Sequence, residues 1–267
     1  MTSSPLTQER LTEVLRAGGV EAARLEAQWI FEKYATTPEK IPALLERRLK
    51  GEPLAYLLGE KGFYKDIFEV CPGVLIPRPE TELLVEKGLE FLKTTKAAQP
   101  KIFDFGCGSG CLGLSLLREM PQAVLTGFDV SAVAVEVSRR NARRLQLSQR
   151  ASFVQKSIQD LEFQESADLI VANPPYIAPT DPQVEPHVAA YEPHLALYAE
   201  ENGFHEIRVW SEQAFRLLKA NGMFVMEFGF GQEHQVDEIL QSFGFRPILF
   251  YKDLAGVVRA VSAQKGE

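Results

Sequence analysis

The sequence predicts an α/β fold, in which a doubly wound, mostly parallel sheet ends in an antiparallel hairpin and follows a small helical bundle. Three observations predict it. Apolar residues recur at helical spacing over residues 1–62. Beyond Pro100, strand and helix patterns alternate, which is typical of a parallel sheet covered by helices. The last two strand patterns follow one another directly, so they are expected to form an antiparallel edge.

The composition limits the classes of protein that the chain can represent. Its 267 residues, 45% hydrophobic, can bury the core of one large domain and one small one. The net charge of −7 weighs against a nucleic acid as the main partner. No apolar run is long enough to span a bilayer, and "MTSSPLTQERLTEVL" lacks the layout of a signal peptide. Three cysteines without a CxxC pair fit a reducing compartment. We therefore expect a cytoplasmic protein without a membrane or direct nucleic-acid partner.

Residues 1–62 are predicted to form the helical bundle as a domain of their own. The apolar positions that carry this prediction are Leu11, Val14, Leu15, Ala22, Leu25, Trp29, Ile30, Ile41, Leu44, Leu45 and Leu49. Pro38 and Pro42 interrupt the pattern, so several short helices are expected rather than one long helix.

A β-hairpin is predicted to link this bundle to the rest of the chain. The apolar period changes toward strands over Phe63–Val70 and again over Val74–Ile76, and Pro72–Gly73 between them is typical of a turn. We therefore expect residues 63–78 to form a hairpin linker and residues 79–267 to form the main domain.

The main domain is predicted to begin with a helix, because Pro79 suits a first helical turn and acidic residues at 80 and 82 suit its positive end. Ser131 is the expected N-cap of a later helix. The predicted strands are Ile102–Phe105, Val124–Asp129, Ser152–Gln155, Leu169–Ala172, Met223–Glu227, Arg246–Tyr251 and Gly256–Ser262. The predicted helices are Leu112–Glu119, Ala132–Leu145, Phe204–Leu218 and Glu233–Phe243.

A glycine-rich loop lies directly between the first of these strands and its helix. Gly106, Gly108 and Gly110 allow a ligand to approach the backbone closely, next to the free N–H groups of a helix N-terminus. Ligands of open α/β sheets bind at this carboxyl edge. Gly108, Gly110 and Gly113 also match the dinucleotide fingerprint GxGxxG, which is weak evidence when it stands alone.

Two carboxylates near the loop help to identify its ligand. Asp104 precedes the loop, where it would repel a pyrophosphate but attract a cationic amino-acid group. That preference and the GxGxG spacing favour S-adenosylmethionine (SAM). Asp129 ends the next strand, where it can accept hydrogen bonds from ribose hydroxyls with either cofactor. A nucleoside cofactor is therefore predicted, and a purely structural glycine turn is the alternative.

No metal site is predicted. Cys107 and Cys111 are four residues apart, but no histidine lies near them, and a single pair of this kind is poor evidence for zinc. Small side chains that fill a tight loop are the preferred interpretation.

The stretch "DLIVANPPYI" ends a buried strand with Asn173, Pro174, Pro175 and Tyr176. The nitrogen of a planar NH₂ group is a poor nucleophile because its lone pair is delocalised. Two acceptors that hold both N–H bonds can direct that lone pair and stabilise the developing charge. The Asn173 side-chain oxygen and the Pro174 carbonyl can serve as this clamp, and Tyr176 can offer a flat face. The alternative is a strand-ending turn with a packed tyrosine.

The chain resembles the release factor glutamine methyltransferase family over most of its length. The segments that carry the resemblance are "GEPLAYLLGEKGFY", "VLIPRPETELLV", "FDFGCGSG", "DVSAVAVEVSRRNA", "DLIVANPPYI", "EPHLAL" and "KDLAGVVR". The resemblance implies a Rossmann-like SAM-dependent methyltransferase domain over residues 79–267. It also implies methylation of the glutamine side chain in the Gly-Gly-Gln loop of peptide chain release factors, with the amino-terminal domain helping to recognise the substrate.

The resemblance also implies roles for individual residues. Asn173, Pro174, Pro175 and Tyr176 would hold the glutamine amide. The expected SAM contacts are Gly106, Cys107, Gly108, Ser109, Gly110, Asp129, Ile158 and Asn173. Two positions depart from the family pattern: Cys107 stands where threonine is usual, and Ser157 stands where an acidic residue commonly binds the adenine amine.

Three other functions stay open at this point. A glutamine methyltransferase of a ribosomal protein would use the same clamp. An adenine-N6 nucleic-acid methyltransferase shares the Asn-Pro-Pro-Tyr motif but would need a basic groove. The arginines at 139, 140, 143 and 144 share one helix, where a solvated face is the preferred interpretation. The third open function is that of a non-catalytic SAM-binding or assembly factor.

Overall fold

The computed structural model describes residues 7–162, 166–182 and 185–267. Its amino-terminal part is a bundle of short helices: α1 (Gln8–Ala17), α2 (Ala23–Lys33), α3 (Ile41–Leu49) and α4 (Leu54–Leu58). Leu11, Leu15 and Ile30 lie in the core of this bundle, as predicted. Leu25, Trp29 and Leu49 do not, since each is more than two-fifths exposed, and Ala22 is exposed as well. In α2 the reason is that Ala23, Ala27 and Ile30 face inward. The apolar spacing of the exposed residues therefore marks a surface rather than a core face.

The hairpin after the bundle forms, but the predicted position of its turn is wrong. Strands β1 (Glu60–Phe63) and β2 (Asp66–Glu69) pair antiparallel, and Phe63 lies opposite Asp66. The turn is therefore Tyr64–Lys65, where Tyr64 adopts φ +54°, and not Pro72–Gly73. Residues 74–76 belong to no strand. Their backbone is held by side chains instead, since Ile76 N donates to Glu192 and Val74 O accepts from Tyr56.

The main domain contains a seven-stranded sheet. Its strands are β3 (Lys101–Phe105), β4 (Val124–Asp129), β5 (Ala151–Gln155), β6 (Ala167–Ala172), β7 (Leu218–Glu227), β8 (Phe245–Lys252) and β9 (Val258–Lys265). Their order in the sheet is β5-β4-β3-β6-β7-β9-β8. The strands β3 to β7 run parallel to one another, whereas β9 is antiparallel to both β7 and β8. The mostly parallel sheet with an antiparallel carboxyl-terminal hairpin is therefore confirmed.

Helices cover both faces of the sheet. The sheet residues alternate between two cores, so Ile102 faces one core and its neighbour Phe103 faces the other. The helices of the main domain are α5 (Glu82–Leu92), α6 (Cys111–Glu119), α7 (Ala132–Arg144), α8 (Pro186–Tyr191), α9 (His194–Leu197), the irregular turn α10 (Glu200–Gly203), α11 (His205–Leu217) and α12 (Glu233–Phe243). Helices α5, α6 and α7 pack on the first face, and α11 and α12 pack on the second.

Helix α7 shows how local sequence signals position the chain around the sheet. Its N-cap is Ser131, whose hydroxyl accepts from Ala134 N at 3.3 Å, as predicted. Its arginines do not form a free basic face. Arg140, Arg143 and Arg144 form ion pairs with Glu69, Glu136 and Glu60, and Arg139 donates to a backbone carbonyl. Among the described residues, no helix has the length and apolar character needed to cross a membrane.

Candidate functional site

The glycine-rich loop lies where β3 ends and α6 begins, and it requires glycine at three positions. Gly106, Gly108 and Gly110 adopt φ values of +64°, +55° and +77°, which other residues adopt only with strain. A Cβ on Gly106 would stand 2.5 Å from the Trp210 ring. A Cβ on Gly108 would meet nothing closer than 3.9 Å, so this part of the backbone borders open space that a ligand can occupy.

Two carboxylates flank this loop, one buried and one partly buried. Asp104 is 1% exposed, and its Oδ2 accepts from Gly113 N at 3.0 Å. Burial raises the pKa of Asp104 to about 7, and the N–H of Gly113 only partly opposes this. Asp129 accepts from Gly108 N and Ser131 N, both at 2.9 Å, and burial raises its pKa as well. Each Asp129 oxygen retains acceptor capacity for a further donor.

The loop and the carboxylates line a cleft of about 340 Å³. The predicted site residues that line it are Gly106, Cys107, Gly108, Ser109, Asp129, Ile158, Asn173 and Pro175. Gly110, Pro174 and Tyr176 are not among its lining residues; Gly110 is instead the N-cap of α6, where a Cβ would press on Leu114 and Ser138. The side chains of the cleft fit SAM. Asp104 suits a cationic amino-acid group, Asp129 can accept from hydroxyl donors, and Ile158 offers apolar surface.

The Asn-Pro-Pro-Tyr turn follows β6, at the same carboxyl edge as the glycine loop. Asn173 is partly buried, and its Nδ2 donates to Thr81 Oγ1 at 3.1 Å. The Tyr176 hydroxyl donates to Glu227 Oε1 at 2.9 Å, and the Tyr176 carbonyl accepts from Gln232 Nε2 at 3.0 Å. Burial, together with Glu227, raises the pKa of Tyr176 well above its usual range. Tyr176 is thus held at both its backbone and its hydroxyl, and its ring packs against the core.

The sequence did not identify Thr81 and Glu227 as residues of this site. Glu227 is 2% exposed and ends β7, and Thr81 is 5% exposed in the turn Pro79–Thr81 ahead of α5. Their side chains are joined by a 2.6 Å hydrogen bond from Thr81 Oγ1 to Glu227 Oε2. One signal pointed to Glu227: like Asp129, it is an acidic residue at the carboxyl end of a predicted strand. Thr81 had no such signal.

Arg78 lines the same cleft. Its guanidinium pairs with Glu192 at 2.5 Å, so the charge of Arg78 is already partnered. Glu82 accepts from Tyr64 N and therefore ties the hairpin to α5, whereas Glu80 is exposed. Trp210 of α11 also lines the cleft and was not predicted.

The two cysteines of the loop are buried packing residues. Cys107 is 5% exposed and Cys111 is 9% exposed. Burial raises the pKa of Cys107 well above its usual range and that of Cys111 to about 12, so both are neutral thiols at physiological pH.

A family model, "Methyltransferase small domain", matches residues 81–190. This range includes the glycine loop, Asp129 and the Asn-Pro-Pro-Tyr turn. Solved structures share the fold. A methyltransferase from Pyrococcus furiosus is 17% identical and covers 75% of this chain and 89% of its own, with a TM-score of 0.54. A ribosomal protein L11 methylase from Lactobacillus delbrueckii is 16% identical, covers 74% and 84%, and also has a TM-score of 0.54.

Curated relatives are more similar in sequence. A "Release factor glutamine methyltransferase" of Vibrio cholerae is 36% identical over 272 residues, which cover 95% of this chain and 93% of the relative. One from Bordetella pertussis is 39% identical and covers 81% and 79%. A "Bifunctional methyltransferase" of Rickettsia felis is 37% identical, but the chain spans about half of it, 47% of its length. The protein is an enzyme that uses SAM, and it belongs to the release factor glutamine methyltransferase family.

Proposed function

We propose that this enzyme transfers a methyl group from SAM to the side-chain amide nitrogen (N5) of the glutamine in the Gly-Gly-Gln motif of peptide chain release factors. The observation that carries this proposal is that Asn173 lines the same cleft as Gly106, Gly108 and Asp129. An acceptor for an amide N–H therefore lies beside the space that fits SAM. The relatives from Vibrio cholerae and Bordetella pertussis are named as release factor glutamine methyltransferases, which supports the choice of substrate.

The residues of the turn have distinct tasks in this proposal. SAM supplies a methyl group that is already activated by its sulfonium charge. Asn173 Oδ1 and the Pro174 carbonyl accept the two N–H bonds of the glutamine amide and direct its lone pair toward the methyl carbon. Pro175 cannot donate an N–H of its own, so nothing competes for the Pro174 carbonyl. Tyr176 completes the turn through its bond to Glu227.

The glycine loop and its carboxylates hold the cofactor in this proposal. The backbone of Gly106, Cys107, Gly108 and Ser109 lines the space for the amino-acid end of SAM, and Gly110 supports this loop as the N-cap of α6. Asp104 faces its ammonium group, and Asp129 accepts from the ribose hydroxyls. Ile158, which is 4% exposed, packs beside the adenine, and Ser157 leaves the adenine amine without the usual acidic partner.

We place the reaction in the cytoplasm and assign substrate recognition partly to the helical domain over residues 1–62, of which residues 1–6 lie outside the described structure. The exposed Leu25 and Trp29 support a role in protein recognition, since aromatic residues are enriched at protein interfaces. The ion-paired arginines of α7 and the net charge of −7 argue against DNA as the substrate.

A methyl-transfer assay with labelled SAM tests this function. The substrates are purified release factor, the same factor with the Gly-Gly-Gln glutamine replaced, and duplex DNA. Label on the unaltered factor alone is expected. Label on DNA, or equal label on the glutamine-free factor, would contradict the proposal, and label only on a ribosomal protein would redirect it to that substrate.

The clamp is tested in the same assay with Asn173→Ala. Because this substitution removes one of the two acceptors for the amide N–H bonds, it should lower kcat at least 100-fold, the size of effect seen when a single charge-stabilising group is removed. Thermal unfolding close to that of the wild type serves as the control for folding. Turnover like that of the wild type would remove Asn173 from the mechanism.

A further inference from the structure

We propose that Glu227 and Thr81 are positioning residues that determine which way the side-chain amide of Asn173 faces, and so leave its oxygen for the substrate. The inference rests on the proposed function, because it explains how the acceptor of the clamp is oriented. Neither residue lies in the Asn-Pro-Pro-Tyr turn, and neither is required to touch the reacting atoms.

The sheet brings these residues together. Strands β6 and β7 are parallel neighbours, and Ala172 lies opposite Met226. The next residues, Asn173 and Glu227, are therefore side by side at the carboxyl edge of the sheet. Thr81 enters from the turn ahead of α5 and stands between them. The result is a continuous chain of contacts: Asn173 Nδ2 to Thr81 Oγ1 at 3.1 Å, and Thr81 Oγ1 to Glu227 Oε2 at 2.6 Å.

The single proton of the Thr81 hydroxyl gives this chain a direction. An ionised carboxylate can only accept, so Thr81 must donate its proton to Glu227. The Thr81 oxygen then has only lone pairs to offer Asn173, and Nδ2 is the atom of the amide that can pair with them. The opposite orientation of Asn173 would set its oxygen against a hydroxyl oxygen with no proton between them, which leaves a partly buried acceptor unpaired. It would also turn an NH₂ donor toward the NH₂ group of the substrate.

The second oxygen of Glu227 holds the other end of the turn. It accepts from the Tyr176 hydroxyl at 2.9 Å, so one carboxylate is bonded, directly or through Thr81, to the first and last residues of Asn173–Tyr176. Burial and, to a smaller degree, the charge of Glu80 raise the pKa of Glu227, whereas the two hydroxyl donors and the nearby charge of Arg259 favour its ionised form. Glu227 therefore sets both the orientation of the amide and the attachment of the turn.

Two substitutions of Thr81 separate positioning from packing. Thr81→Val keeps the shape of the side chain and removes its hydroxyl, whereas Thr81→Ser keeps the hydroxyl and removes a methyl group. We expect Val to lower kcat at least tenfold while SAM affinity, measured by calorimetry, stays within about twofold, and we expect Ser to restore most of the lost kcat. A packing role predicts the opposite order, because Ser would leave a cavity in a buried site and Val would not.

The second test measures whether the effects of Thr81 and Glu227 on kcat are coupled. Glu227→Gln should lower kcat, and adding Thr81→Val to it should cause less than a threefold further loss, because both changes act through the same amide. Losses that multiply would show independent effects and contradict the proposal.

A third readout needs no substrate and therefore separates this inference from the proposed function. The side-chain amide signal of Asn173, assigned by its absence in Asn173→Asp, is followed by nitrogen-15 NMR. We expect slow exchange of one Nδ2 proton in the wild type and in Thr81→Ser, and fast exchange in Thr81→Val. An unchanged signal in Thr81→Val would overturn the inference. Normal Asn173 signals in a wild-type enzyme that leaves release factor unmethylated would overturn the proposed function alone.

Discussion

Asp104 is an ionisable residue that is almost completely buried. Its carboxylate accepts a hydrogen bond from Gly113 N and lines the cleft beside the glycine loop. Burial raises its pKa from 3.8 to about 7, so the folded protein without cofactor holds a proton that the unfolded chain has already released between these pH values. At higher pH the folded state contains a buried negative charge. A cationic ligand would compensate that charge, which is a physical reason to find an aspartate there.

The first prediction concerns this carboxylate. As pH rises from about 4 to about 7, Asp104 should progressively lower the free energy of unfolding of the cofactor-free protein, since the folded state binds more protons than the unfolded state over this range. Asp104→Asn should remove this contribution. In urea unfolding, the difference between variant and wild type should shift in favour of the variant from pH 5 to pH 8, by at most about 3 kcal/mol. Parallel pH profiles of the two proteins would contradict the assignment.

At the scale of elements, Asn141 joins three parts of the chain. It is fully buried on α7 and makes three hydrogen bonds, two to the backbone of Glu69 in β2 and one to the carbonyl of Ser109 in the glycine loop. The amide of a single side chain thus attaches the hairpin and the loop to one helix. The loop conformation depends on contacts outside the loop, and not only on its glycines.

The second prediction follows from that attachment. Asn141→Ala should lower the free energy of unfolding by about 3 kcal/mol, because it leaves buried backbone groups of Glu69 and Ser109 unpaired. It should also weaken SAM binding in calorimetry, since Ser109 lines the cleft. Glu136→Ala on the same helix is the matched control: Glu136 forms solvent-exposed ion pairs, so its loss should cost less than about 1 kcal/mol. Equal effects of the two substitutions would show that Asn141 contributes no more to stability and SAM binding than an exposed residue of the same helix.

At the scale of the whole molecule, Glu192 connects segments more than 100 residues apart in sequence. Its carboxylate accepts from Ile76 N at 3.1 Å and pairs with Arg78 at 2.5 Å. Arg78 lines two clefts: the one beside the glycine loop, and a second of about 1480 Å³ that extends along the helical bundle. The pair of Arg78 and Glu192 therefore stands where the bundle, the linker and the main domain meet.

The third prediction tests this junction. Glu192→Gln leaves the charge of Arg78 without its carboxylate, and because Arg78 is about one-third exposed, solvent reduces the cost to about 2 kcal/mol of unfolding free energy. Urea unfolding measures it. Glu185→Gln is the control, because Glu185 precedes α8 as Glu192 follows it, but Glu185 is exposed. Its substitution should change stability by less than about 1 kcal/mol. An unaffected Glu192→Gln protein would show that the junction is held by other contacts.

The sequence by itself determined the elements whose signals are local. The strand Val124–Asp129 and the helix Glu233–Phe243 have the predicted bounds, and Ser131 caps α7 as expected. These features depend on residues a few positions apart, through a period of two or 3.6 and through a cap. The glycine loop belongs to the same class, because positive φ values are a property of single residues.

Only the tertiary structure decided features that depend on partners distant in the chain. The hairpin turns at Tyr64–Lys65 because β1 and β2 pair in that register, although Pro72–Gly73 has the stronger turn sequence. The hydrogen bond between Thr81 and Glu227 joins residues 146 positions apart. It exists because β7 lies beside β6 in the sheet and α5 begins above that edge. Strand order and register are properties of the whole fold, so the residues that orient Asn173 became visible only once those were known.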